Sequence, residues 1–157
     1  MKKGERRGFT IIEVTLVLAI AGLIFLMVFV TLPQVMRNER DTERREDASA
    51  LLSAIKKYQS NNRGALPNGW TQFRDDYLGD DFVDPSTGVK YTLFVETCGN
   101  STGKACFSTS NPDIGTIMVA TGATCNNNNV AVGASNPRKV AVMIKLEAGN
   151  TVYCDNS

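Results

Sequence analysis

Hydrophobic and polar positions divide the N-terminal 60 or so residues into blocks of very different character. From Val14 to Met36 there are 23 consecutive uncharged residues, mostly apolar. As a helix such a run spans about 35 Å, enough to cross a bilayer. Arg37 to Asp47 then carries nine charges in eleven positions, four Arg and five acidic. From Ala48 the pattern becomes amphipathic, with Ala48, Leu51, Leu52, Ile55 and Tyr58 at i, i+3, i+4, i+7 and i+10. Asn61-Asn62-Arg63-Gly64 closes the pattern, with Gly64 as the C′ residue and Pro67 just beyond. The three blocks predict one long helix over 9–62. Its 9–36 part is transmembrane, and its 37–64 part is an amphipathic continuation. Pro33 and, more weakly, Gly22 interrupt its regularity, and proline predicts a kink.

Beyond the helix the period changes from 3.6 to 2. Residues 65–90 read as a connecting loop anchored by Trp70, Phe73, Tyr77, Leu78, Phe82 and Val83, ending in the turn Asp84-Pro85-Ser86-Thr87-Gly88. Strands are expected at 89–96, 116–121, 130–132, 139–147 and 151–154. The clearest of them sets Val140, Val142, Ile144 and Leu146 on one face. Ala148-Gly149-Asn150 fits a short hairpin loop between the last two. A sheet with one apolar face needs a cover, which the Ala48–Tyr58 stripe supplies. The expected class is α+β: a long N-terminal helix on a small antiparallel sheet, with residues 65–157 as a globular, β-rich head.

The apolar run is preceded by Arg6-Arg7-Gly8-Phe9-Thr10-Ile11-Ile12-Glu13. Residues 1–8 are short and basic, and belong to processing rather than to the fold. Lys and Arg on this side place it in the cytoplasm and the remainder beyond the membrane. A secretory signal peptide would have a shorter apolar core and a small-x-small cleavage site, which 28–33 does not offer. A plain signal anchor accounts for length and flanking charge, but not for Glu13 or the Gly8-Phe9 junction. A carboxylate inside a membrane helix costs on the order of 2.5–3.5 kcal/mol at the centre and less near the interface, so Glu13 calls for a partner or a polar boundary.

The basic leader, the Gly8-Phe9 junction, Glu13 and the apolar helix together closely resemble the N-terminus of type IV pilins and pseudopilins. The resemblance is detailed over residues 1–67 and weaker afterwards. It implies a precursor cut between Gly8 and Phe9 by a prepilin peptidase, which methylates the new Phe9 amine. It implies a filament of identical subunits raised from membrane lipid by an inner-membrane assembly platform, for adhesion or motility. Glu13 of an incoming subunit would pair with the Phe9 ammonium of a docked one, so that any other register leaves a buried charge alone. The segment between Gly22 and Pro33 would extend or unwind in such a filament. Asp84-Pro85-Ser86-Thr87-Gly88 followed by Tyr91 is similar to a segment of many pseudopilins. A pseudopilin of a secretion or DNA-uptake apparatus is therefore an alternative. A single-pass anchored binding domain that never polymerises is an alternative of another class.

Composition narrows the chemistry. There is no histidine among 157 residues, which removes the commonest general base and zinc ligand. No catalytic constellation stands out, and no cofactor is expected. The formal charge of +1 falls to −2 once residues 1–8 are removed, which gives no global attraction to nucleic acid. Cys98, Cys106, Cys125 and Cys154 all lie in the last 60 residues, as expected of disulfides outside the cytoplasm. A four-thiolate zinc site would bring paired C-x2–4-C spacing, which is absent. Of the three possible pairings, locality favours Cys98–Cys106 with Cys125–Cys154. Asp80, Asp81 and Asp84 are weak calcium candidates without EF-hand spacing. The polar loops 99–104, 108–113 and 124–129 read as solvated surface. The charge run 37–47 reads as a solvated helix face with i,i+4 pairs Arg37/Asp41 and Asp41/Arg45, and its mixed signs also suit pairing between filament subunits.

Overall fold

The computed structural model describes residues 8–98, 102–107, 111–127 and 129–157. The leader apart from Gly8 lies outside them, as do parts of the three polar loops. The chain forms two compact units, divided between Met36 and Arg37.

Helix α1 runs Ile11–Asn61 with Pro33 inside it. In the first unit its large apolar side chains are exposed around the whole circumference: Leu16, Leu23, Phe25, Leu26 and Phe29 are all more than half accessible. By length and composition this stretch qualifies as a membrane span.

In the second unit the rest of α1 is a core element. Ala48, Leu51, Leu52 and Ile55 are buried, each large one contributing about 1.5–3 kcal/mol. The helix ends with a 6→1 bond from the Gly64 N–H to the Gln59 carbonyl (2.7 Å). The left-handed turn begins one residue earlier than expected, at Arg63 (φ 54°), and continues through Gly64 (φ 84°).

Residues 65–90 are not all loop. Helix α2, Trp70–Tyr77, lies within them. Phe73 is its buried residue, and it meets Tyr58 edge-on at 5.6 Å and stacks on Tyr77 at 5.0 Å. The Trp70, Phe73, Tyr77 spacing of i, i+3, i+7 was the helical signal.

The strands are β1 (Thr92–Thr97), β2 (Thr116–Thr121), β3 (Ala123–Cys125), β4 (Ala131–Gly133), β5 (Val140–Lys145) and β6 (Val152–Asn156). The main sheet has the order β1-β2-β5-β6, and β3-β4 form a second, two-stranded sheet. The main sheet is mixed rather than wholly antiparallel. β1 runs parallel to β2, with Phe94 beside Met118, while β2-β5 and β5-β6 are antiparallel. A parallel pair requires the connection between β1 and β2 to return the chain to the same end of the sheet.

β5 is buried on both faces. Val140, Val142 and Ile144 join Ile117, Val119 and the α1 stripe in one cluster. Ala141 and Met143 join Met118, Ala120 and Phe107 in another, under Ala123 and Ala131 of the small sheet. β3 follows β2 after Gly122 (φ 68°), where a Cβ would stand 3.3 Å from the Cys98 carbonyl. Disulfides join Cys98 to Cys106 and Cys125 to Cys154.

Candidate functional site

Two groups of residues carry candidate chemistry, one in each unit. At the start of α1, Thr10 is the residue before the first helical turn and Glu13 is the third residue of that turn. The Glu13 carboxylate accepts the Thr10 backbone N–H and the Thr10 hydroxyl, both at 2.9 Å. This is the returning half of a capping box, in which an acidic side chain satisfies a donor left free by the helix end. The arrangement keeps a carboxylate supplied with donors at the edge of an apolar run. The pattern Thr-x-x-Glu before that run was its sequence signal. Gly8 and Phe9 precede the helix and are exposed. Gly22 has open space where a Cβ would be.

In the second unit the charge run is not a solvated face throughout. Arg44 and Asp41 are buried. Arg44 Nε lies 2.8 Å from Asp84 Oδ2, its Nη1 3.1 Å from Asp41 Oδ1, and its Nη2 2.8 Å from Glu147 Oε1 and 2.9 Å from Ser86 Oγ. Arg40 holds the same Glu147 from the other side. Asp41 also accepts the backbone N–H groups of Glu147 and Ala148, each at 2.8 Å. Asp41 therefore makes an i,i+3 pair with Arg44 and binds the turn after β5, rather than the i,i+4 pairs the sequence suggested. Asp41 and Arg44 extend the Ala48, Leu51, Ile55 stripe backwards by the same three- and four-residue steps, and that continuity was the overlooked signal.

The Asp84-Pro85-Ser86-Thr87-Gly88 turn presents Asp84 to this cluster. Asp84 Oδ1 accepts the N–H groups of Ser86 (2.9 Å) and Thr87 (3.1 Å), and the Gly88 N–H returns to the Asp84 carbonyl (2.8 Å). Burial alone would raise the Asp84 pKa, but the Arg44 guanidinium and Ser86 outweigh it and hold it at about 2. Hydrogen bonding to Arg40, against opposing desolvation and with help from Arg44, holds Glu147 at about 2. Burial lowers and the carboxylate partners raise the Arg44 pKa, and the partners win. Next to the cluster the Tyr91 hydroxyl donates to Asp47 at 2.8 Å. Burial keeps the Asp47 carboxyl above its ordinary value despite that bond.

Asp80, Asp81 and Asp84 do not converge as a cation site. Asp84 is turned inward to Arg44, Asp80 pairs with Lys90 at 2.7 Å, and Asp81 is exposed. Among the described residues no group of three acidic or thiol side chains is placed to hold a metal. Compared with protein-family models, curated proteins and solved structures, the chain gives no significant match.

Proposed function

We propose that this chain is the structural subunit of a type IV pilus-like filament, made as a membrane-held precursor and cleaved by a prepilin peptidase between Gly8 and Phe9. The observation that carries the proposal is α1 itself. Within one helix, an apolar stretch that its own unit leaves uncovered on every side passes into a stretch that builds the core of the head. A helix apolar all round is stable in lipid or among other apolar helices. A filament subunit needs both settings in succession.

In this proposal Phe9 and Glu13 guide assembly. Before assembly Glu13 is satisfied by Thr10. After cleavage the Phe9 ammonium of a docked copy replaces those donors, and methylation leaves that charge in place. Gly22 and Pro33 are the positions where the helix would yield during packing. The head faces outward, and adhesion or motility is the corresponding role outside the cell. Glu13→Val is expected to leave cleavage intact and to abolish or sharply reduce filaments. Immunoblots of mature chain together with counts of sheared filaments measure both effects, and filaments at normal abundance would contradict the role given to Glu13.

The Asp84–Gly88 turn and its hold on Arg44 favour a second reading, a pseudopilin that builds a short piston for secretion or DNA uptake. Filament length at native expression separates the two. Sequencing of the mature N-terminus separates both from an anchored domain that does not polymerise. The filament readings require Phe9 at the N-terminus, and the anchor requires the leader to be retained.

A further inference from the structure

β1 is the outer strand of the main sheet, and among the described residues no strand pairs with its free side, although α2 flanks its start, where Arg74 Nη1 donates to the Tyr91 carbonyl (2.9 Å), so the open part of the edge is Val95 and Thr97. The Thr92 N–H binds the Gly115 carbonyl (3.0 Å) and the Cys98 N–H binds the Thr121 carbonyl (2.9 Å). Even-numbered residues therefore direct their backbone groups to β2, and Leu93, Val95 and Thr97 direct theirs outward. The even residues also present their side chains on the face turned away from α1. On that face lies a groove of about 390 Å³, a size in the range of specific ligand sites. Its apolar lining includes Phe94, Phe107 and Met118, and its polar lining includes Glu96, Asp113 and Asn111 beside Thr92 and Thr116. Phe94 is 54% exposed. Among the described residues the lining has two carboxylates and no cation. The other end of the same face is closed by the small β3-β4 sheet.

We propose that β1 accepts an extended, basic peptide from another protein as an added strand. An aliphatic side chain would lie over Phe94, and a Lys or Arg two residues away would reach Glu96 or Asp113. Outward amides on β1 supply register and affinity, and alternate side chains entering the groove supply selectivity. The carboxylates attract a cation and reject an acidic or phosphorylated segment. A second copy of this chain is a poor source. Among the described residues its exposed basic pairs, Lys56-Lys57 and Arg138-Lys139, sit on α1 and at the turn before β5, and the leader's Lys2-Lys3 and Arg6-Arg7 are removed on processing in the filament reading. A neutral sugar would use Phe94 and the carboxylates but leave the outward amides idle.

The test uses the full chain in detergent micelles at low salt, so it does not depend on filament assembly. The probe is a fluorescent heptapeptide, Thr-Lys-Thr-Val-Thr-Lys-Thr, with a control carrying Glu in place of Lys. Saturable binding of the basic peptide is expected, with slowed hydrogen exchange at Val95 and Thr97. Glu96→Gln with Asp113→Asn should weaken binding roughly fivefold or more and flatten its salt dependence. An unchanged unfolding midpoint, read from Trp70 fluorescence, establishes that the variant is folded. The proposal fails if there is no saturation by about 1 mM, or if the acidic control binds equally. Protection away from β1 would overturn it, as would a neutral oligosaccharide filling the groove in preference to the peptide while the β1 amides stay unprotected.

Discussion

The two stretches of α1 invert the usual rule of burial. In residues 11–36 the apolar side chains are exposed, while in residues 37–61 an aspartate and an arginine are buried beside leucines and an isoleucine. Each stretch makes sense only with its partner. The second finds its partner within the chain: Asp84 and Glu147 come from distant segments to meet Arg44. The first has no cover within its own unit, and by length and composition it qualifies as a membrane span. Apolar residues without cover and charges with full cover are two statements of one physical requirement, that each group be matched by its surroundings.

The second stretch depends most on Arg44. Arg44→Ala leaves the buried Asp84 carboxylate without its cation and should cost about 3–5 kcal/mol of head stability, read from urea unfolding followed by Trp70 fluorescence. Glu43→Ala, on the exposed side of the same turn, should change stability by less than about 0.5 kcal/mol. The double change Arg44→Met with Asp84→Leu should recover part of the loss, because the Asp84 charge is then gone while Asp41 keeps the Glu147 and Ala148 N–H groups and Glu147 keeps Arg40.

Next in size are the disulfides. If they act by restricting the unfolded chain, the sequence separations of 29 and 8 predict unequal effects. Replacing Cys125 and Cys154 by alanine should cost about 3.5 kcal/mol, and replacing Cys98 and Cys106 about 2.5 kcal/mol. Chemical denaturation of the two double variants gives the difference directly.

Acid should act on the second unit. Asp84 and Glu147 have folded-state pKa values depressed to about 2. Their contribution is therefore complete above their unfolded values near 4 and is lost as pH falls towards 2, of order 2 kcal/mol for Asp84. Asp47, shifted upward, acts in the opposite sense and softens the loss. The urea midpoint should fall between pH 5 and pH 2.5, and Arg44→Met with Asp84→Leu should flatten that fall. A smaller effect, of stabilising sign, is expected at Arg63, whose φ of 54° suits glycine. Arg63→Gly should stabilise the head by up to about 1 kcal/mol, visible as a higher unfolding midpoint.

What could be read from the sequence follows the strength of each pattern. The run Val14–Met36 and the Ala48–Tyr58 stripe define α1 to within two residues at either end, because both patterns are long. β5 was clear from its alternation, although its second buried face was hidden by residues as small as Ala141. α2 was missed because a single aromatic turn lies among Asp75, Asp76 and Arg74. β3, at three residues, is too short to show a period. The parallel β1-β2 pair is set by a crossover that no local pattern records. The Arg44 cluster was masked by its neighbours, since nine charges in eleven positions look solvated unless the apolar stripe is followed backwards into them. The reverse holds at Glu13, where the Thr10 donor was visible three residues away and only the box pattern had to be applied.

Electron microscopy of material sheared from the cell surface, labelled with antibody raised against residues 37–157, distinguishes a filament subunit from an anchored domain. The filament reading requires label along filaments whose subunits begin at Phe9. Label confined to the cell envelope, with no filaments and a mature chain that keeps residues 1–8, would contradict it.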